Sequence, residues 1–487
     1  CLPQKLYGRE DETTTLLDAF ERVSQGGKEL LVVGGYSGVG KSALVNEVHK
    51  SISEKRAYFI TGKYEQYQRT IPYFALRKAF AELISYWLLE DKNVLEQWKN
   101  NIKNALGDLA QVVTEIIPEL ELLIGTPADV PTLEGEQYAN RFNYVFGLFM
   151  NAICTSKHPL VIFIDDWQWV DSASLDLFKF LLADEDLKNV LFIVAYRDNE
   201  VDESHLFIQT LTSIKESKIT PVTQLTLKNL SSKKIHAWIE DALKQSNIAE
   251  LVDLVFAKTQ GNAFFTSQFL ATLFDEGLLK FDFETSLWKW DIEQIQSQNI
   301  TDNVVVLMTS KIKKLSSQTQ EMLELGACVG ASFKLSLLAT ISEQIEETCY
   351  KVLEEALLAG LILKIDQNTY RFVHDRIQQA TYGLLTEQKQ KQLHFAIGKI
   401  WLKTASESER EDKLMNIVSQ LNFGLDLLQS PKEKTVLLNL NIQAGKKAQS
   451  SIAYDSACHH FEIAEKLLLD DAWTNHYEQT FDLYKDW

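Results

Sequence analysis

The chain has 487 residues, 45% of them hydrophobic and 24% charged, a composition that suits roughly three folded domains. A formal net charge of −18 disfavours a nucleic-acid binder. No run is long and apolar enough to span a membrane and no signal peptide opens the chain, so a cytoplasmic protein is expected. The five cysteines (Cys1, Cys154, Cys328, Cys349 and Cys458) are scattered without a C-x-x-C pair, which speaks against a disulfide framework or a zinc site. A start at Cys1 instead of Met and a stop at Trp487 inside a helix-like pattern read as a piece of a longer protein.

In chain order, Leu6-Tyr-Gly-Arg-Glu10 precedes a helix with Leu16, Leu17, Phe20 and Val23 on one face. The next run, Leu30-Leu-Val-Val-Gly-Gly-Tyr-Ser-Gly-Val-Gly-Lys-Ser42, contains G-x-x-x-x-G-K-S between an apolar strand and a helix starting at Ala43. That context marks a phosphate-binding P-loop. Gly35, Gly38 and Gly40 let the backbone curl so that the amides of this loop, Val39 among them, face phosphate oxygens. The N-terminus of the helix that starts at Ala43 adds its positive dipole end. Lys41 is expected on the outer phosphates and the Ser42 hydroxyl on Mg²⁺. A purine nucleotide is the ligand implied; the motif alone leaves ATP and GTP open.

Apolar strands are predicted at Glu29–Val33, Arg56–Thr61, Leu160–Ile164 and Val190–Ala195. Helices alternate with them, which predicts a parallel sheet covered on both faces. Residues 72–158, far more than a crossover needs, read as a helical insertion broken at Ile116-Ile-Pro118 and Gly125–Pro131. After Pro221 the strand pattern stops. The domain boundaries expected are 1–225 for an α/β P-loop nucleotide-binding domain, 226–300 for a helical lid, 301–385 for helices followed by a two-stranded wing, and 386–487 for an all-α, repeat-like tail. In the tail, Ala444, Ala448, Ala453, Tyr454, Ala457, Phe461 and Ala464 resemble one tetratricopeptide-like unit.

The strand Leu160-Val-Ile-Phe-Ile-Asp165-Asp166 ends in two acids. One carboxylate cannot serve both the metal and the attacking water, so Asp165 is expected in the Mg²⁺ shell and Asp166 as the group that orients water. Arg197 ends the next strand, at the edge where open α/β sheets bind ligands, and its fork suits the γ-phosphate.

Together these motifs resemble the STAND class of AAA-related signalling ATPases, in particular the ATPase module of bacterial multi-domain kinases and large regulators. VIFIDDWQWVD at 161–171 is similar to that family's apolar-Asp-Asp-Leu-Gln-Trp-Ala-Asp, with Trp167 where leucine is usual. The resemblance implies a lid, a winged helix and a slow ATP-to-ADP switch. It places Gly8 and Arg9 near the base, and it makes Gln260-Gly-Asn-Ala-Phe-Phe265 a lid motif whose usual proline is Ala263 here. It also makes His374, in Phe372-Val-His-Asp375, the histidine that reads ADP. Arg69 gains no role. A protein partner or inducer at the tail, kinase or sensor domains elsewhere in the same protein, and nucleotide-dependent oligomerisation are further implications. No protein-kinase motif set is present, and Cys458-His459-His460 lacks metal-ligand spacing. Two other readings compete. An origin-recognition-like ATPase on DNA is disfavoured by the acidic helix expected at Gln344–Ala359. A small-molecule P-loop kinase would need a second substrate pocket that no motif supplies.

Overall fold

The computed structural model describes residues 5–53, 57–68, 70–131, 133, 135–297, 301, 303–469, 472–475 and 477–486. Cys1, Arg56, Arg69 and Trp487, named above, lie outside them. The chain divides into two compact units, Cys1–Tyr64 with Tyr73–Asp302, and Glu65–Pro72 with Asn303–Trp487.

In the first unit five parallel strands form one sheet: β1 (Lys28–Gly35), β2 (Tyr58–Lys63), β3 (Leu160–Asp165), β4 (Val190–Tyr196) and β5 (Val222–Leu227), in the order β2-β3-β4-β1-β5. β1, β3 and β4 are buried along nearly their whole length, as their unbroken apolar runs require. One face is covered by α1 (Glu10–Ser24) and α2 (Lys41–Ser53). Leu16, Phe20 and Val23 of α1 meet Leu44, Val45 and Val48 of α2 over Leu31, Val33 and Ile193.

β5 corrects the expectation that strands end at Pro221. It pairs with β1 from Leu30↔Val222 to Gly35↔Leu227. Its sequence, VTQLTL, is half polar because it is an edge strand with only Leu227 fully buried. A half-exposed edge carries no continuous apolar signal. Between β2 and β3 run the helices Phe74–Leu88, Lys92–Leu106 and Gly135–Ile153, interrupted by short turns at Pro118 and Gly125. After β5 come helices Ser232–Leu243, Ala249–Thr259 and Ala263–Asp275, then the hairpin Leu279–Asp282 with Leu287–Trp290.

The second unit opens with helices Val304–Lys313 and Ser317–Val329 and continues with Leu335–Ile341 and Glu346–Leu358. The expected hairpin forms from Ile362–Lys364 and Thr369–Phe372. A third strand, Ser332–Lys334, was not foreseen; it pairs antiparallel with Thr369–Phe372 and is too short to leave a pattern. Helices Glu387–Thr404 and Glu407–Asn422 pair, as do Pro431–Ser450 and Tyr454–Leu467. Ala444, Ala448, Ala457 and Ala464 are buried, and a Cβ on Gly445 would come within 2.4 Å of the Phe461 ring, so small residues set the close approach of the second pair. Residues 65–72 belong to this unit: Glu65 accepts a hydrogen bond from the Ala331 N–H at 3.4 Å, and the Ser456 hydroxyl donates to Thr70 O.

Candidate functional site

The site lies at the carboxyl edge of the sheet, where β1, β3 and β4 release their chains. β1 runs into the turn at Tyr36–Gly40, and α2 starts at Lys41. Gly35 and Gly38 both have positive φ (153° and 79°). A Cβ would lie 2.7 Å from Leu227 O at Gly35 and 2.8 Å from Asn262 Oδ1 at Gly38, so glycine is required twice over. The turn is held from outside by Asn262. Its Nδ2 donates to Ser37 O at 2.9 Å, and its Oδ1 caps helix Ala263–Asp275 by accepting from Phe265 N–H at 3.0 Å. Phe264 N–H donates to Gly38 O at 3.0 Å. Asn262 and Phe264 thus tie the helices after β5 to the P-loop, a link that sequence reading left unassigned.

Lys41 is buried, 7% exposed, and its ammonium donates to Gly35 O at 2.6 Å and Tyr36 O at 3.1 Å. Burial lowers its pKa from the ordinary lysine value, against the opposing pull of Asp165 and Asp166. The Ser42 hydroxyl donates to Asp165 Oδ2 at 2.6 Å, which brings the first residues of α2 and the end of β3 together. Asp165 Oδ1 accepts from the Asp166 N–H at 2.8 Å.

Asp166 has left-handed backbone torsions (φ 54°, ψ 43°) and is buried. Its Oδ1 faces Arg197 Nε at 3.1 Å, and its Oδ2 faces Lys63 Nζ at 3.1 Å. Lys63 ends β2 in register with Asp165. Arg197 is 2% exposed, pairs with Glu200 at 2.7 Å, and sits 4.7 Å from the Trp169 ring. The arginine thus points inward, onto Asp166.

Asp171 caps helix Ser172–Ala183 by accepting from Ser174 N–H at 2.8 Å, and burial pushes its carboxyl up to about 6. A carboxyl raised in the fold above its unfolded value of about 3.9 binds its proton more tightly when folded. Its contribution to stability is therefore complete below about pH 4 and lost as pH rises through about 6. Asp171→Asn, neutral throughout, should gain stability relative to the parent by on the order of 2 kcal/mol between about pH 5 and about pH 8. Thermal melts of the two proteins across that range check this; parallel curves would refute it.

On the opposite side of the P-loop, a cavity of about 210 Å³ is lined by Lys5, Leu6, Tyr7, Arg9, Val39, Gly40, Ala43, Glu47, Leu230, Trp238 and Ala263. Gly8 (φ 66°) turns the chain into Arg9, whose Nη2 donates to Val39 O at 3.0 Å and Lys228 O at 2.6 Å. Tyr7 stacks on Trp238 at 6.0 Å. Ala263 stands at the wall where the resemblance expects proline. Trp238 and Glu47 were not singled out in the sequence, because nothing local marks Trp238 as the partner of Tyr7, 231 positions earlier, or Glu47 as part of the same wall.

His374 lies in the second unit as the N-cap of helix Asp375–Tyr382, its Nδ1 accepting from the Arg376 N–H at 3.1 Å. No group of three or more His, Cys, Asp or Glu side chains able to hold a metal occurs among the described residues. No described helix is long and apolar enough to cross a membrane.

Residues 5–193 match the model of the AAA ATPase domain. The hybrid signal transduction histidine kinase G of Dictyostelium discoideum is 30% identical over 609 aligned residues, which take in 99% of this chain and 18% of that protein. The peroxide stress-activated histidine kinase mak3 of Schizosaccharomyces pombe is 20% identical over 485 residues, covering 88% of this chain and 20% of that protein. The chain thus spans about a fifth of the length of these curated relatives. Among solved structures, a STAND protein with a tetratricopeptide repeat sensor from Pyrococcus horikoshii superposes with a TM-score of 0.50 at 14% identity, over 99% of this chain and 62% of that one. At that identity the likeness is one of fold.

Proposed function

We propose that this chain is an ATP-binding, slowly hydrolysing switch module, of the STAND class of AAA-like ATPases, in a larger signalling protein; the AAA ATPase domain match over residues 5–193 and the fold shared with a STAND protein support this reading. The observation that carries the proposal is the convergence of Lys41, Ser42, Asp165, Asp166 and Arg197 on one sheet edge, beside a tight loop that admits only glycine at Gly35 and Gly38. Such a set suits in-line attack of water on a terminal phosphoryl group.

In this reading Lys41 and the loop amides hold the phosphates. The Ser42 hydroxyl and Asp165 carboxylate, 2.6 Å apart, are hard oxygen donors of the kind Mg²⁺ takes, so the residues fit that ion. Bound there, it would supply positive charge against the phosphate oxygens. Asp166 orients the water, and Arg197 exchanges Asp166 for the γ-phosphate. Gly8, Arg9, Val39 and Ala43 flank the base. His374 reads ADP and transmits the nucleotide state to the second unit, a winged-helix and repeat-like region that receives a protein partner or inducer. The names of the two curated relatives favour a histidine-kinase pathway, with the kinase in other parts of a multi-domain protein.

Calorimetry with Mg-ATP and Mg-ADP tests this. The parent should bind both. His374→Ala should weaken ADP about tenfold and leave ATP within about twofold. Equal losses would remove His374 as a sensor, and no heat of binding to the folded parent would overturn the whole reading.

A further inference from the structure

One buried side chain in the acidic turn has no part in the roles above. Gln168 is 4% exposed. The left-handed Asp166 bends the chain so that the Gln168 amide folds back over the carboxylate two residues earlier. Nε2–H donates to Asp166 Oδ1 at 2.9 Å, and Oε1 accepts from the Arg197 N–H at 3.1 Å. The Gln168 carbonyl contacts His205 Nε2 at 3.1 Å, while His205 Nδ1 accepts from the Phe207 N–H at 3.2 Å, so Nε2 is the ring nitrogen that carries the proton and donates. One amide orientation fits. A carboxylate only accepts and a backbone N–H only donates, so the flipped amide would set acceptor against acceptor and donor against donor.

Asp166 Oδ1 therefore receives two donors of different kinds, a charged one from the Arg197 side chain and a neutral one from Gln168. We propose that Gln168 is a positioning residue for hydrolysis, holding the Asp166 carboxylate in one orientation while the Arg197 guanidinium changes partner. This rests on the reading of Asp166 as the water-orienting group. Lys63 holds only Oδ2, so without Gln168 the Oδ1 end would lose its donor when phosphate drew the guanidinium away, because both anions compete for one fork. Gln168 is anchored to the Arg197 main chain, not its side chain, so its clamp survives the exchange.

Steady-state hydrolysis by the whole chain from about pH 6 to about pH 9 tests the proposal. In Gln168→Glu, a protonated carboxyl has the same donor and acceptor as the amide, whereas the ionised form sets like charges face to face. Turnover should stand near the parent value at the acid end and fall at least about tenfold as pH rises, with KM within about twofold. Gln168→Met, similar in length but without hydrogen bonds, should lose about tenfold in kcat at every pH with KM unchanged. A Gln168→Glu profile parallel to the parent's, or parental kcat in Gln168→Met, overturns the proposal. If Gln168→Glu fails to fold by thermal melting, Gln168→Met decides alone. Parental activity in Asp166→Asn would instead remove the premise about Asp166, and with it this proposal.

Discussion

Lys41→Ala is expected to abolish measurable nucleotide binding, and hydrolysis with it. The ammonium is the one charged donor supplied by the P-loop itself, and it is buried among the backbone carbonyls of Gly35 and Tyr36. Truncating one member of a buried charged contact costs about 2–5 kcal/mol, and about 3 kcal/mol alone weakens affinity more than 100-fold. The loss should appear equally for ATP and ADP in calorimetry, because the contact proposed for Lys41 is to phosphate and not to the base. The fold should survive: α2 is anchored by Leu44, Val45 and Val48, none of which the substitution touches. A variant that binds Mg-ATP within about tenfold of the parent would show that the loop amides suffice, and would remove Lys41 from its role.

Asp166→Asn has the opposite signature. Binding should stay within about threefold, while turnover falls by about 10²–10⁴, the span usual for loss of a general base or water-orienting group. Asparagine keeps the shape and one acceptor for Arg197, but it cannot take a proton from water. The charge has a structural role as well, since Lys63 and the buried Arg197 both face it. The melting temperature should therefore drop by an amount corresponding to about 1–3 kcal/mol, with Glu200 at 2.7 Å still compensating Arg197. Single-turnover assays at saturating nucleotide separate the two effects. Parental turnover would exclude Asp166 from the chemistry.

The parts of this site that could be read from the sequence are those whose chemistry is written in consecutive residues. Gly35 to Ser42 needs no long-range information, because torsion, amide direction and charge are all set within eight positions. Asp165, Asp166 and Arg197 were legible through their place at the ends of apolar runs, which a parallel sheet brings to one edge. The partners of those groups were not. Lys63 meets Asp166 only because β2 and β3 pair in register from Tyr58↔Leu160 to Lys63↔Asp165, and nothing near residue 63 records that offset. Asn262 was quoted as part of a lid motif, yet its hydrogen bond to Ser37 depends on a packing across 225 residues. β5 was hidden for a different reason: exposure on one side replaced half of its apolar residues. Local pattern thus reveals elements that are buried on both faces and motifs that act through the backbone. It is silent on edges and on cross-strand ion pairs.

Residues 65–72 belong with Asn303–Trp487 and not with the strand they follow. A gene truncated after residue 302 would therefore leave behind an orphaned octapeptide, and one starting at 303 would lack the loop whose Glu65 and Thr70 are held by Ala331 and Ser456. The polypeptide passes between the two bodies three times, at 64/65, 72/73 and 302/303, so dissecting this protein calls for a loop graft or a circular permutation in place of a single cut.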